Sequence, residues 1–227
     1  MNRPVLLDLF CGAGGASRGY HRAGFDVVGV DSNLNRAIRY PFSFIHADLA
    51  TFTVANLLDL VRSTGATVLG GSPPCHDNSS LRYRTGKTHG TRWLVEHTRR
   101  LFLATELPYV IENVPGAPLL EPVTLCGSMF GLGASGRTLK RHRLFESNVP
   151  LTTPTDRCDG QLIGGVYGTG GRGQMTRGYK FTIPEASEAM GIDWMNGTEL
   201  SQAIPPTYTT FIGGQLFAAL RRGEVAA

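Results

Sequence analysis

The chain lacks the cysteine spacings that hold zinc or build a disulfide framework. Its four cysteines, Cys11, Cys75, Cys126 and Cys158, form no Cys-x-x-Cys pair and no Cys/His ligand pair. The sequence also has no apolar run near the roughly 20 residues that a membrane span requires, no internal repeat and no targeting segment. We therefore expect a protein of the reducing cytoplasm, without a bound metal and without a membrane partner.

The composition bounds the class of protein without identifying a ligand. The 227 residues, 41% of them apolar, suffice for one sizeable core with a small appended lobe. The net charge of +4 suits a polyanionic partner but is too small to establish one. Glycine is abundant, with 29 residues, and it is concentrated in loops, chiefly between Gly127 and Gly178.

The opening third has the rhythm strand, glycine turn, helix, strand. Residues 5–10 form an apolar run, residues 11–15 read Cys-Gly-Ala-Gly-Gly, and residues 26–30 form a second strand that ends at Asp31. This pattern predicts a βαβ unit of a doubly wound α/β sheet. The glycines match neither Gly-x-Gly-x-x-Gly nor Gly-Lys-Ser/Thr, so a plain chain reversal is the alternative to a ligand site. The acid after the second strand favours a nucleoside, because such an acid binds ribose hydroxyls.

The fourth predicted strand leads into a rigid turn that presents a thiol. Residues 66–69 form this strand, and we expect the paired glycines at 70–71 to end it. Pro73 and Pro74 then fix the backbone ahead of Cys75. The alternative to a reactive cysteine is a half-buried one in a proline turn. Elsewhere, apolar residues at helical spacing predict helices over residues 35–40, 54–64, 93–105, 184–190 and 211–220.

The segment after Cys75 reads as a long basic loop. Residues 77–92 lack apolar periodicity and contain Arg82, Arg84 and Lys87. Loops of this length are uncommon unless they act as lids or binding loops. Cations beside a cysteine attract phosphate and lower the pKa of the thiol. We expect a lid over a negatively charged substrate, with a solvated connector as the alternative.

Two further predicted strands bring charged residues to the same edge of the sheet. The strand over residues 109–111 is followed by Glu112 and Asn113. The run from residue 139 to 146 is expected to be a strand with Arg141 and Arg143 on one face, able to hold a carboxylate or a phosphate. The alternatives are that Glu112 is an ordinary exposed acid at a strand end and that the two arginines form a solvated basic face.

In order and spacing, these motifs resemble the cytosine-5 DNA methyltransferases over nearly the whole chain. The set is Asp8-Leu9-Phe10-Cys11-Gly12-Ala13-Gly14-Gly15, Asp31, Asp48, Pro73-Pro74-Cys75, Glu112-Asn113-Val114, Arg141-x-Arg143 and Gln202-Ala203-Ile204-Pro205-Pro206. The resemblance implies an α/β fold with a doubly wound, mostly parallel sheet of the S-adenosylmethionine-dependent methyltransferase type. It also implies a catalytic part over residues 1–150, a small glycine-rich target-recognition segment over residues 151–183, and a return to the catalytic part over residues 184–227.

The resemblance implies covalent catalysis on cytosine. Cys75 matches the thiolate that adds to carbon 6 of the base, and Glu112 matches the acid that acts at ring nitrogen 3. Arg143 and Arg141 are expected to position Glu112 and bind the base carbonyl. The implied methyl donor is S-adenosylmethionine, with S-adenosylhomocysteine as product. Its expected ligands are Asp8, Phe10, Cys11, Gly12, Ala13, Gly14, Gly15, Asp31, Ser32, Asp48, Leu49, Pro73, Gln202 and Ala203.

Double-stranded DNA is the partner that the resemblance implies. The target base must leave the duplex before a protein can reach carbon 6. The residues expected to contact the nucleic acid are Ser79, Arg82, Arg84, Asn113, Arg172 and Arg177. We expect a bacterial or phage-encoded monomer, while restriction-modification, phage protection and regulation remain open as biological roles.

Three departures from the family pattern leave alternatives open. His76 stands where glutamine is common, Leu139 replaces a usual glutamine, and the segment between Arg143 and Pro184 is short for a target-recognition domain. The short segment predicts a very short recognition site, no site, or a separate recognition subunit. The alternatives to DNA methylation are methylation of tRNA, a catalytically silent DNA-binding subunit, and transfer of a modified alkyl group. The Cys-Phe-Thr signature of the tRNA-methylating relative is absent from this sequence.

Overall fold

The structure is a computed structural model that describes residues 3–74, 91–155, 162–167 and 179–223. Its strands are β1 (Val5–Leu9), β2 (Asp26–Asp31), β3 (Ser43–His46), β4 (Ala66–Gly71), β5 (Tyr109–Asn113), β6 (Val123–Leu125), β7 (Gly133–Ala134), β8 (Arg137–Leu139), β9 (Arg143–Ser147), β10 (Ile163–Gly165) and β11 (Tyr179–Lys180). Its α-helices are α1 (Gly15–Ala23), α2 (Leu34–Ala37), α3 (Val54–Thr64), α4 (Trp93–Leu103), α5 (Ile183–Met190), α6 (Gly197–Gln202) and α7 (Pro206–Arg222). Two 3₁₀ helices cover Leu49–Thr51 and Gly127–Phe130.

A seven-stranded sheet in the order β3-β2-β1-β4-β5-β9-β6 forms the centre of the molecule. The first five strands of this order run parallel, and β9 is antiparallel to both of its neighbours. A second sheet has four short strands in the order β11-β10-β8-β7. The doubly wound, mostly parallel α/β sheet that the sequence predicts is therefore confirmed.

Helices cover both faces of the large sheet, because its strands are apolar on both sides. In β1, Leu6 packs with α1 and α7, whereas Leu7 and Leu9 pack on the opposite face with α3 and α4. This alternation has the period of two that a strand imposes. It places Asp8 on the face of Leu6, beneath α1.

The small sheet and helices α5 and α6 form a third apolar cluster. Each of the two helices begins with a capping box, in which the cap side chain and the N3 glutamate satisfy each other's backbone amides. Thr182 and Glu185 form the first box, and Asn196 and Glu199 form the second. These caps fix where the chain turns back toward the large sheet.

The structure corrects several predicted boundaries. The glycines at 70 and 71 were expected to follow β4, but they belong to the strand as its last two residues. Gly71 passes close to the ring of Phe102. The predicted strand over residues 139–146 is two strands in different sheets, with a break between Leu139 and Arg143. The predicted closing helix extends over Pro206–Arg222, and α6 was not predicted.

The longest described helix, α7, has 17 residues. Across the described residues, no helix combines the length and the apolar character needed to cross a membrane.

Gly19 is the point of closest approach between α1 and α7. A Cβ atom added there would lie 2.0 Å from Oγ1 of Thr209 and 2.2 Å from the backbone oxygen of Pro206. We therefore expect Gly19→Ala to lower the free energy of unfolding by about 1–3 kcal/mol, since overpacking forces the two helices apart. Urea denaturation followed by circular dichroism measures the change.

Gly214→Ala is the matched control within α7. Gly214 is exposed, and an added Cβ atom meets nothing within 4 Å. This substitution should be neutral or stabilising by about 0.5–1 kcal/mol, because alanine favours the helix. Equal effects of the two substitutions would show that α1 and α7 are not in close contact at Gly19.

Candidate active site

A cavity of about 320 Å³ opens at the carboxyl edge of the parallel strands, where α/β sheets bind their ligands. Residues from both ends of the sequence and from the middle form its walls. They are Phe10, Cys11, Gly12, Ala13, Gly15, Ala16, Asp31, Ser32, Asn33, Arg36, Ser72, Pro73, Pro74, Glu112, Val114, Arg143, Met195, Glu199, Gln202, Ala203 and Ile204. The sequence-predicted glycine turn, Asp31, the Pro-Pro turn, Glu112 and Arg143 thus meet in one place.

The glycine turn after β1 folds tightly because of its backbone angles. Phe10, Gly12 and Gly14 have positive φ values of 58°, 57° and 87°. At Gly14 an added Cβ atom would also lie 2.8 Å from Cδ of Pro41, so both conformation and space call for glycine there. The turn is closed by a hydrogen bond of 3.1 Å from the Gly14 amide to the Cys11 carbonyl. It brings backbone amides to the cavity wall.

Asp31, the last residue of β2, holds this turn in place. Its Oδ2 atom accepts hydrogen bonds from the Gly12 amide at 3.0 Å and from Nη1 of Arg36 at 3.1 Å. Its Oδ1 atom accepts from the Asn33 amide at 2.9 Å. Nη2 of Arg36 donates to Oε1 of Gln202 at 2.9 Å, so one guanidinium joins the two walls of the cavity. Arg36 was not among the predicted site residues.

Asp8 does not line the cavity, contrary to the expectation that it contacts a cofactor. It points into the helix-covered face of the sheet, where its Oδ2 accepts a hydrogen bond from Ser17, whose own oxygen accepts one from Tyr40 at 2.8 Å. The other carboxyl oxygen, Oδ1, is buried, and none of the described residues forms a hydrogen bond with it. Burial raises the pKa of Asp8 to about 7, and the nearby charges of Asp31 and Glu112 add to the rise.

Cys11 lines the cavity but is not a reactive thiol. Its side chain is buried, and burial together with the charges of Asp8 and Asp31 raises its pKa far above the ordinary value. A thiol in this state stays protonated and is a poor nucleophile. Cys11 therefore contributes packing to the cavity wall.

Glu112 and Arg143 form a buried ion pair at the far end of the cavity. Antiparallel pairing of β5 with β9 brings them together, with Nε of Arg143 3.0 Å from Oε1 of Glu112. Burial raises the pKa of Glu112, while the guanidinium groups of Arg143 and Arg141 and the hydroxyl of Ser72 act in the opposite direction. The raised pKa favours the protonated carboxyl group, which can donate its proton to a ligand.

The Pro-Pro turn is fastened to the neighbouring strands. The Ser72 amide donates to the Leu9 carbonyl at 3.1 Å, and Nδ2 of Asn113 donates to the Pro73 carbonyl at 2.9 Å. Asn113 does not line the cavity and instead orients this turn. Pro73 and Pro74, the last described residues before Cys75, do line the cavity.

Several predicted residues lie outside the part of the chain that the structure describes. They are the proposed nucleophile Cys75 and the predicted nucleic-acid contacts Ser79, Arg82, Arg84, Arg172 and Arg177. Their roles remain predictions.

Arg141 has different partners from those expected. Its guanidinium donates four hydrogen bonds of 2.7–3.1 Å to the backbone carbonyls of Val166, Ser201 and Ala203. The reason is that β9 begins only at Arg143, so the two arginines do not share a strand face. Arg141 fastens the Val166 segment and the cavity wall at Ala203, and Arg143 forms an ion pair with Glu112.

Besides Asp8, three predicted cofactor contacts lie outside the cavity lining. Asp48 is exposed, and its Oδ1 caps the 3₁₀ helix by accepting from the Ala50 amide at 3.0 Å. Leu49 is buried in the apolar cluster with α3 and α4. Gly14 shapes the turn from behind, packed against Tyr40 and Pro41.

Sequence reasoning named Gln202 as a cofactor contact but missed Glu199 and the helix α6 that carries both. Glu199 and Gln202 are one helical turn apart and both line the cavity, beside Met195 and Ile204. The Asn-x-x-Glu spacing of Asn196 and Glu199 is the signal that predicts this helix start. Among the described residues, no group of three or more His, Cys, Asp or Glu side chains is arranged to hold a metal ion.

The family model for C-5 cytosine-specific DNA methylases matches residues 5–120. The chain belongs to this family. The matched region includes the glycine turn, Asp31, the Pro-Pro-Cys motif and Glu112, but not Arg143 or the α6 wall.

Curated relatives are type II methyltransferases of bacteria. M.HgiGI of Herpetosiphon aurantiacus is 35% identical over 120 residues, which are 50% of this chain and 92% of the relative. M.HgiDI of the same organism is 34% identical over 131 residues, which are 55% of this chain but 41% of the relative. M.XorII of Xanthomonas oryzae is 33% identical over 126 residues, 51% of this chain and 29% of the relative. The chain thus spans less than half the length of M.HgiDI and M.XorII.

Solved structures of methyltransferases share the fold. A putative DNA modification methyltransferase encoded within an E. coli prophage superposes with a TM-score of 0.68 at 16% identity, covering 96% of this chain and 99% of that one. The Dnmt2 methyltransferase of S. pombe superposes with a TM-score of 0.61 at 12% identity, covering 96% and 99%. The chain therefore shares the fold of these methyltransferases.

The buried Asp8 carboxyl predicts a pH-dependent stability. The folded pKa of about 7 lies above the ordinary value of 3.8, so the folded state holds the proton more tightly than the unfolded state. The free energy of unfolding of the wild type should therefore fall as pH rises from 3.8 to about 7. Asp8→Asn keeps an acceptor for Ser17 and cannot ionise, so it should lack this fall. Urea denaturation at several pH values measures both.

Asp59→Asn controls for the loss of one carboxylate, because the side chain of Asp59 is 69% exposed. It should follow the wild-type pH profile. Parallel profiles for the wild type and Asp8→Asn would contradict a raised pKa at Asp8.

Proposed function

We propose that the protein methylates carbon 5 of cytosine in double-stranded DNA with S-adenosylmethionine, through a covalent adduct with Cys75. The observation that carries this proposal is the buried Glu112–Arg143 pair, which shares one cavity with the glycine turn, Asp31 and the turn that leads to Cys75. Family membership supports the same reaction. The proposal assigns a role to each part of this cavity.

Carbon 5 of cytosine is a poor nucleophile, so the base must first be activated. A Cys75 thiolate that adds to carbon 6 converts the ring to an enamine with electron density at carbon 5. When bound, S-adenosylmethionine supplies an electrophilic methyl group and leaves as S-adenosylhomocysteine. Loss of the carbon 5 proton to a base then allows Cys75 to depart as a thiolate and restores the aromatic ring. Water is the base in this proposal, since no side chain of the described cavity is assigned to the step.

Glu112 supports the addition step by holding a proton toward ring nitrogen 3 of the base. Addition of the thiolate places negative charge on the ring, and a hydrogen bond or proton at that nitrogen relieves it. The raised pKa of Glu112 keeps the carboxyl group protonated to a higher pH than an exposed glutamate. Arg143 fixes the orientation of this carboxyl group through the 3.0 Å ion pair and limits the rise of its pKa.

The described cavity fits the proposed cofactor. Its volume of about 320 Å³ lies within the range of about 300–1,000 Å³ that is usual for small-molecule sites. Phe10 and the turn from Gly12 to Gly15 would hold the adenine and the methionine part. Asp31 offers a carboxylate to the ribose hydroxyls, and Ser32, Gln202 and Ala203 complete the wall.

DNA is the substrate that we favour, with the target base turned out of the duplex, because carbon 6 is inaccessible in stacked DNA. The division of the chain proposed here is a catalytic part over residues 1–150, a reduced target-recognition segment over residues 151–183, and a catalytic return over residues 184–227. A segment of that size supports recognition of a very short site.

The decisive experiment traps the covalent intermediate. We expect the protein to form an adduct with duplex DNA that contains 5-fluorocytosine, provided that S-adenosylmethionine is present. Fluorine at carbon 5 cannot leave as the proton does, so Cys75 stays attached to carbon 6. Denaturing electrophoresis and mass spectrometry detect the adduct, and the adduct mass separates a methyl group from a modified alkyl group.

Cys75→Ser should abolish the adduct, whereas Cys158→Ser, the matched control, should leave it unchanged. A DNA made by enzymatic copying presents every short sequence, so the unknown recognition site does not limit the test. Absence of an adduct with the intact protein would support a silent DNA-binding subunit. If the protein transferred methyl groups to tRNA and none to DNA, its substrate would be RNA and the proposal of a DNA substrate would be wrong.

Glu112→Gln tests the proposed acid. Glutamine keeps the size of the side chain but cannot donate a carboxyl proton, so we expect kcat to fall by about 100-fold or more. In the wild type, kcat should decline as pH rises through the raised pKa of Glu112, because the protonated form is the active one. Steady-state transfer of labelled methyl groups measures both effects. Full activity of Glu112→Gln at all pH values would exclude Glu112 as the acid.

A further inference from the structure

The glycine turn that lines the cavity needs external support to keep its conformation. Phe10, Gly12 and Gly14 all have positive φ values, and Phe10 carries a side chain that disfavours this region. Residues in sparsely populated backbone regions persist when the surrounding structure over-determines them. The contacts that hold the turn therefore decide whether the cavity wall is preformed.

Two peptide units of the turn are hydrogen-bonded at both ends. The unit between Cys11 and Gly12 donates from its amide to Asp31 and accepts at its carbonyl from the Gly14 amide. In the unit between Ala13 and Gly14, the Gly14 N–H group donates to the Cys11 carbonyl. The Ala13 carbonyl of this unit accepts a hydrogen bond from Nε1 of Trp194 at 2.8 Å. Neither peptide plane can rotate without losing a bond. Asp31 supplies one long-range anchor, and Trp194 supplies the other.

Trp194 is itself held firmly. It lies between the buried residues Ile192 and Met195, in the connection from α5 to α6, and Met195 lines the cavity. The guanidinium of Arg18, on the helix that follows the glycine turn, lies 4.9 Å from the centre of the indole ring, a cation–π distance. The indole thus contacts the turn through its N–H group and the following helix through its face.

We propose that Trp194 is a positioning residue for the cofactor, which holds the Ala13–Gly14 peptide in its binding conformation through the indole N–H group. The inference rests on the proposed function, because it takes S-adenosylmethionine as the ligand of this cavity. Trp194 belongs to the segment after residue 183, far outside the region of the family match. Its contribution is to affinity for the cofactor and not to the chemical step.

The test compares Trp194→Phe with the wild type by titration calorimetry with S-adenosylhomocysteine. Phenylalanine keeps an aromatic face for Arg18 but has no N–H donor. Loss of one neutral hydrogen bond should raise the dissociation constant about 3- to 10-fold. The KM for S-adenosylmethionine should rise by a similar factor, and kcat at saturating cofactor should stay within about twofold. Trp93→Phe, which removes the other tryptophan of the chain, is the matched control and should change neither constant.

Fluorescence gives a signature that general destabilisation would not produce. In Trp93→Phe the remaining tryptophan is Trp194, so its emission should change along the same saturation curve as calorimetric binding. In Trp194→Phe the emission of Trp93 should not follow cofactor binding.

Three results would overturn the inference. An unchanged dissociation constant in Trp194→Phe would show that the turn keeps its form without the indole N–H group, and the proposed function would stand. A loss confined to kcat and thermal stability, with unchanged affinity, would show that Trp194 is structural only. Failure of the wild type to bind S-adenosylhomocysteine would refute the cofactor assignment itself, and the role of Trp194 with it.

Discussion

The close contact between α1 and α7 at Gly19 is the constraint on which the cavity depends. Because a glycine lets the two helices meet, the chain that precedes α7 passes directly over the start of α1. There the Ile204 carbonyl lies against Gly15, and Ala203 and Gln202 become a wall of the cavity. Arg141 secures the same stretch by binding the carbonyls of Ser201 and Ala203. Without this contact the glycine turn would face solvent on that side.

Burial governs the pKa values of two carboxyl groups of the large sheet, Glu112 in the cavity wall and Asp8 outside the cavity. Asp8 and Glu112 are both buried, and burial is the largest cause of the raised pKa of each. The charge of Glu112 also raises the pKa of Asp8. Arg143 limits the rise of the pKa at Glu112, whereas at Asp8 the Ser17 hydroxyl is the described group that limits it. The same sheet therefore carries one raised carboxyl pKa that an arginine moderates and another that a hydroxyl moderates.

The sequence predicted those parts of the site that local pattern and strand order determine. Asp31 and the glycine turn follow from strand ends in a βαβ unit, and Glu112 follows from the end of an apolar run. The partners of Arg141 and the anchor at Trp194 could not be found this way, since both depend on contacts across 25 to 181 residues. The capping box at Asn196 was readable, but nothing local indicates that its helix would close a cavity. Asp8 lies outside the cavity because alternation in β1 directs its side chain to the face covered by α1, where Ser17 donates to it.

The long-range bond from Trp194 to Ala13 bears on the order of events as the polypeptide folds. Its two residues are 181 positions apart, so the amino-terminal strand and turn are synthesised long before their partner. Closing so large a loop carries an entropic cost that is offset only when the final helices dock. A nascent chain therefore lacks this wall of the cavity until Trp194 and the residues around it have been synthesised and have docked.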